Sequence, residues 1–469
     1  MTFNSIAFLI FLPVVYLLFR VFPQRQKWVL LLLASYFFYC FVTPWYGILL
    51  LLTTAVDYFA ALKIENALTQ KQKKSWLALS IVSNLGVLVS FKYSAFFANC
   101  GLFAYSKFSG NSFSVFHDLI VPAGLSFYTF QSMSYTIDVY RGKTQAQKHF
   151  GLFALFVSFF PHLVAGPIQK FDHLFPQLKK LSAPEPDSIF PHFRLIIWGF
   201  FKKLVIADNL AKIIDPIQNN VQNFSGSVHL FVGFLFCVQL YCDFSGYTDI
   251  ATGIAKLFGV DFTINWKRPL LARSVHSFWK RHHISMTTWF REYLYFSLGG
   301  DKTSTLKWVR NVFIVFLVSG LWHGASFTFV LWGAMHAVAY IIQKFCNKKF
   351  QLPAFAGWLI FISFHSFSFI AFRAKTTDGL ISIYNSIFYD FNFSLMIPQL
   401  HSVTDWFPFL ICVLGIVILF TKEIAEEFSL TQKFSGLSRY LRPVFYWILF
   451  FAIFLAGDFN NNEFIYFKF

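Results

Sequence analysis

The chain has 469 residues, of which 56% are hydrophobic, 21% aromatic and only 13% charged, with a formal net charge of +17. Soluble domains carry about 25% charged residues, so the composition excludes a soluble globule and requires an integral membrane protein. The Lys and Arg side chains stand in short loops between apolar spans, as the positive-inside tendency demands, which excludes nucleic acid as the reason for the positive charge.

About 20 apolar residues cross a bilayer, and fewer suffice when flanking residues snorkel. Residues 6–22, 28–42 and 46–62 form the first three spans. Arg20 stands at the end of the first span with Arg25 and Lys27 after it, and Lys63, Lys71, Lys73 and Lys74 follow the third. Two spans separate these basic loops, so both lie on one face, and their charge makes it cytoplasmic. The amino terminus is therefore expected outside, as is the near-uncharged Thr43-Pro44 turn. The first apolar run starts at once and its first basic residue, Arg20, comes only at its end, so no cleavable signal peptide is expected. A fourth span covers 76–97, followed by an outer loop over 99–117.

Residues 119–139 form a span or half-span interrupted by Pro122 and Gly124. Residues 152–164 are too short for an untilted crossing, yet basic stretches flank them on both sides. A re-entrant hairpin resolves that parity, because irregular backbone is tolerated at membrane depth where protein or water surrounds it. Spans follow at 195–206 and 228–241, the second leading into Asp243 and Asp249. After a polar link over 261–273 come spans at 308–321, 328–342, 355–372 and 407–419. A loop carrying Lys422, Lys433, Arg439 and Arg442 precedes the last span, 444–455, and returns the carboxyl terminus outside. The expected fold is all-α and polytopic: one membrane domain over 1–469 with about 10 to 12 crossings plus re-entrant or interfacial helices. Its core is 228–345 and an aromatic tail occupies 463–469. The six cysteines are scattered without CxxC spacing and read as small buried hydrophobes.

The polar residues that interrupt the apolar pattern are the candidates for chemistry, since a buried polar group in a bilayer is costly unless paired or used. In a helix, His276, Trp279, Lys280, His283, Thr287 and Phe290 share one face. That is either a basic aromatic anchor at the interface or part of a site. His323 follows Trp322 in an apolar span between Gly320 and Gly324, a small-residue spacing that lets backbones pack closely. It is either a general base, the natural use of an imidazole near neutral pH, or a core histidine hydrogen-bonded across helices. His336 reads first as a packing residue. Asp243 and Asp249 either form a proton relay or mark a helix break. The adjacent His282 and His283 point in different directions on a helix, so no metal site is expected. HExxH, GxSxG and a phosphate-cradling Gly loop are all missing. The tail Phe464-Ile465-Tyr466 is an interfacial aromatic belt or carries an acyl acceptor.

Several segments together resemble the membrane-bound O-acyltransferases, in the branch of the alginate O-acetylation membrane subunit. They are Phe278-Trp279-Lys280-Arg281-His282-His283, Trp289 through Gly300, Ser319-Gly320-Leu321-Trp322-His323-Gly324, Trp332-Gly333-Ala334-Met335-His336 and Asp243 through Asp249. The resemblance implies a ring of tilted helices around a thinned centre, with a tunnel where a cytoplasmic donor meets an outside acceptor. It implies that His323 is the catalytic histidine and His283 the second active-site histidine, with Trp279, Trp322, Asp243, Asp249 and His336 in support. Tyr466 matches the tyrosine of a C-terminal motif proposed to carry the acyl group. The implied donor is acetyl-CoA or another acyl thioester, with no bound cofactor. The implied partner is a secreted SGNH-hydrolase-like acetyltransferase that modifies a polysaccharide such as alginate, from a chain in the bacterial inner membrane. Other implied acceptors are peptidoglycan, teichoic acid and lipopolysaccharide. A rival reading from the same helices, histidines and carboxylates is a flippase for lipid-linked sugars. Two positions depart from the family pattern: Arg281-His282 replaces Arg-Trp, and His336-Ala337 replaces His-Gly.

Overall fold

The computed structural model describes residues 1–109, 121–185, 188–346, 353–430, 435–459 and 464–465, which are helix and loop without a strand. Among them, seven helices are long and apolar enough to cross a membrane, and two shorter apolar helices, Ile6–Val21 and Tyr440–Ala456, accompany them. The spans read from sequence at 46–62, 76–97, 228–241, 308–321, 328–342, 355–372 and 407–419 fall on those seven. Part of the expected outer loop, residues 110–117, lies outside the described residues, as does Lys433. The chain divides into two compact units, residues 1–192 with 251–263, and residues 193–250 with 264–469.

The first unit holds α1 (Ile6–Val21), α2 (Lys27–Cys40), α3 (Pro44–Asn66), α4 (Gln70–Lys92), α5 (Ser94–Ser109), α6 (Leu125–Tyr140), α7 (Phe150–Ser158), α8 (Phe160–Leu163) and α9 (Phe171–Lys179). Helix α1 starts where the Ser5 side chain accepts from the Phe8 N–H, satisfying one of the donors a helix start leaves open. Its Phe8, Phe11, Val15 and Phe19 are buried at helical spacing while Ile6, Leu9, Ile10, Leu17 and Val21 are exposed. An outer face of large aliphatic side chains suits lipid and not water. Helix α4 begins with a capping box between Thr69 and Gln72. Deeper in, Asp57 of α3 accepts from Ser80 Oγ at 2.6 Å and Asn84 Nδ2 at 2.8 Å on α4. Ser80 also bonds Thr136 of α6 at 2.9 Å. One buried carboxylate thus ties three helices, with hydrogen bonds meeting its desolvation cost. Helices α7 and α8 span 9 and 4 residues, so α7 rises about 14 Å against a hydrocarbon core of about 30 Å. Neither crosses alone, and most of their side chains are buried.

The second unit contains α10 (Phe190–Phe200), a π-helical turn over Phe201–Ala207, α11 (Asp208–Asn219) and α12 (Gly226–Leu257). Helices α13 (Val275–Trp279), α14 (Ile284–Trp289), α15 (Thr305–His323), α16 (Phe327–Cys346), α17 (Ala354–Arg373), α18 (Thr377–Tyr389), α19 (Met396–His401), α20 (Trp406–Glu427) and α21 (Ser435–Ala456) follow. Helix α12 continues through Asp243 and Asp249, so the helix break considered for them does not occur. Helices α15 and α16 form a tight hairpin: a Cβ on Gly320 would stand 2.3 Å from the Phe329 carbonyl oxygen, and one on Gly333 2.4 Å from that of Phe316.

Candidate active site

The run 275–290 is not the continuous amphipathic helix expected from its spacing. Helix α13 ends at Trp279, and His283 takes a left-handed backbone with φ 43°. A distant segment supplies the reason. Lys267 N–H donates to the Arg281 carbonyl at 2.9 Å, and Ile284 N–H donates to that of Asn265 at 2.9 Å. These bonds replace the helical ones that would have passed through 281–284. The break turns Phe278, Trp279, His282 and His283 inward, all buried, while Lys280 stays exposed. An interfacial anchor would keep its aromatic face toward lipid, so the anchor reading is corrected.

His283 is fully buried. Its Nδ1 lies 3.3 Å from Asn265 Oδ1, which also accepts from the Ser285 N–H at 3.0 Å and Ser285 Oγ at 2.9 Å. A backbone N–H can only donate, so that Asn265 atom is the oxygen and His283 Nδ1 must carry the proton. In the neutral ring Nε2 then holds a lone pair. Burial pushes the His283 imidazole down to about 3, so the ring is neutral at physiological pH. His282 is pushed well below its ordinary value by burial first, then by His283, His365, His323 and His336.

His323 is the last residue of α15, capped by Gly324, so it ends a helix and does not lie within one. It is buried and its ring contacts Trp322, Trp332 and Phe372 at 5.0, 5.3 and 5.1 Å between centroids. Trp322 also contacts His283 at 6.1 Å. The sequence candidates thus meet through one indole. Trp332 continues to Trp279 at 5.9 Å and His336 at 4.9 Å. His336 Nε2 pairs with Ser368 Oγ at 3.2 Å, and His365 lies 6.1 Å from the His336 ring. Five histidines and three tryptophans therefore form one buried cluster. Sequence reasoning did not single out Asn265, His365 or Ser368, and weighed His282 only as a metal ligand. Among the described residues, no three His, Cys, Asp or Glu side chains are placed to hold a metal.

The carboxylates meet two lysines that sequence reasoning passed over. Lys203 Nζ lies 2.6 Å from Asp243 and 2.8 Å from Asp208; Lys202 Nζ lies 2.7 Å from Asp249 and 2.8 Å from Ser245 Oγ. Both lysines are buried. The available signal was two ammoniums in one apolar run and two carboxylates in another, each too costly to bury alone. Asp243 has a second partner, the Ile465 N–H at 2.8 Å. Tyr466 itself lies outside the described residues, as do 463 and 467–469.

Three relatives are similar to this chain in sequence. A probable alginate O-acetylase of Pseudomonas aeruginosa is 37% identical over 395 residues, covering 83% of this chain and 75% of the relative. A peptidoglycan O-acetyltransferase of Helicobacter pylori is 33% identical over 425 residues, covering 81% and 78%. A teichoic acid D-alanyltransferase of Bacillus subtilis is 27% identical over 280 residues, covering 55% and 70%. The sequence profile of the membrane-bound O-acyltransferase family, MBOAT, matches residues 32–384. The matched region contains the whole histidine cluster, and the apolar helices make the chain a multi-pass membrane protein. By this match the chain belongs to the membrane-bound O-acyltransferase family and is an O-acyltransferase, which sets aside the flippase reading.

Proposed function

We propose that this enzyme takes an acetyl group from a cytoplasmic thioester, acetyl-CoA, and passes it across the bacterial inner membrane for O-acetylation of an extracytoplasmic polysaccharide. The observation that carries the reading is the burial of His323 and His283 in one aromatic cluster, joined by Trp322. A water-poor site strengthens electrostatic help to a transition state and protects a thioester from hydrolysis. His323 takes the proton from the attacking hydroxyl as its oxygen bonds to the thioester carbonyl carbon. The C–S bond then breaks, and the departing thiolate collects the proton as the free thiol. The developing oxyanion needs a donor, which His283 as the second active-site histidine or a nearby backbone N–H could supply. With Nδ1–H committed to Asn265, the neutral ring has no second N–H to offer, so it accepts a hydrogen bond instead. The donor role falls to the indole N–H of Trp332, which is buried without a partner among the described residues beside His323. Lys and Arg at the cytoplasmic mouth hold the CoA phosphates.

The acyl group goes from the site to Tyr466 as an ester and from there to a secreted SGNH-hydrolase-like partner. An alginate-type glycan is the first acceptor class, supported by the P. aeruginosa relative. Peptidoglycan is the second, supported by the H. pylori relative. Purified protein should release free CoA from acetyl-CoA when an acceptor is present. His323→Ala should abolish that release while membrane abundance stays normal; persistent release would remove the general-base role. Tyr466→Phe should stop outward transfer, and undiminished transfer would leave the tyrosine an aromatic anchor.

A further inference from the structure

The carboxyl-terminal stretch is fastened to the second unit at two places. The first follows α21 directly. Asn209 Nδ2 donates to the Ala456 carbonyl at 2.8 Å, the Asp458 N–H donates to the Leu204 carbonyl at 3.0 Å, and Asp458 pairs with Lys212 at 3.2 Å. The second lies at 464–465. Phe464 is 4% exposed and Ile465 7% exposed. The Phe464 ring stands 5.2 Å from both Phe244 and Tyr247 of α12, and the Ile465 N–H reaches Asp243. The other face of this seat is active-site material, because Phe244 meets the His283 ring edge-on at 4.7 Å.

We propose that Asp243, Phe244 and Tyr247 form a docking site for the chain's own carboxyl-terminal segment, and that Asp243 is its positioning residue. Lys203 holds one Asp243 oxygen at 2.6 Å, which leaves the other aimed at a backbone amide of the tail. A backbone contact of this kind reads the path of the chain and not the side chain, while Phe464 fixes the register by filling an aromatic slot. A charged acceptor makes the bond stronger than a neutral pair would. Tyr466 is the next residue in the sequence, and the seat of 464–465 borders Phe244, whose ring meets His283. This inference rests on the proposed carrier role only for its purpose; the seat itself is a binding event that needs no acyl transfer to be measured.

Amide hydrogen exchange on the full-length protein in detergent tests it. The Ile465 amide should exchange slowly in the wild type. Asp243→Leu removes the acceptor but leaves Lys203 paired with Asp208, and it should speed that exchange by about tenfold or more. Phe464→Ala touches no charge and should do the same. In both variants the α12 amides should keep their protection, and outward transfer should lose kcat with the KM for the donor unchanged. An Ile465 amide that exchanges freely in the wild type, or that stays equally protected in both variants, overturns the docking site. Tyr466→Phe should leave the exchange untouched. Normal transfer in that variant would end the carrier reading while the seat stood.

Discussion

At the scale of single residues, His283 carries the clearest solution signature. Its ring is fixed as the Nδ1–H tautomer by Asn265, and burial lowers it from an ordinary 6.5 to about 3. The folded-state value lies below the unfolded one, so as pH falls the unfolded chain takes up the proton first. The contribution to stability is complete above 6.5 and is lost progressively as pH drops toward 3. His283→Gln should flatten the fall in thermal stability between about pH 7.5 and about pH 5, measured by unfolding in detergent. An unchanged slope would mean that the ring is protonated in the fold. The sequence made His283 and His323 legible through the bulky aromatic neighbours and small residues beside them. It could not show the tautomer, because Asn265 reaches His283 only through a backbone pairing of two loops 18 residues apart. Lys202 and Lys203 were hidden for a different reason: an ion pair can be read only when both apolar runs that hold it are taken together.

Among the elements, the α15–α16 hairpin depends on backbone contact. With only 2.3 Å between the place a Cβ on Gly320 would take and the Phe329 carbonyl oxygen, the opposing atom is backbone and cannot swing aside. Gly320→Val should cost about 2 kcal/mol or more, read as a lower unfolding temperature and lost activity. Gly86→Val, at a site with nothing within 4 Å, should be nearly silent by comparison. Equal effects would show that the cost comes from helix propensity and not from the close approach. The small-residue spacing around His323 pointed to this contact, but not to its partner in α16. The break between α13 and α14 was beyond reach of local pattern, since the spacing of 276–290 satisfies a helix and only residues 265–267 forbid it. The long helices were the easiest part, because each apolar run of membrane length has few alternatives to a helix.

At the scale of the whole molecule, charge distribution gives a topology to test. By the positive-inside tendency, the basic loops near Arg20 and Lys71 predict an amino terminus outside the cytoplasm, and the basic loop at 422–442 predicts the same for the carboxyl terminus. Epitope tags at either end should be reached by antibody in intact spheroplasts, and a tag reached only after lysis would reverse that orientation. The π-helical turn over Phe201–Ala207 has a consequence for how this chain tolerates change. Such a turn holds one residue more than a regular α-turn. The extra residue is absorbed within the turn, so the helices on either side keep their phase. Deleting one residue there would close the turn to regular helix and redirect the side chains inside it, among them Lys202 and Lys203 with their pairs to Asp249 and Asp243. A one-codon deletion within 201–207 should accordingly disturb those ion pairs while the flanking helices keep their packing.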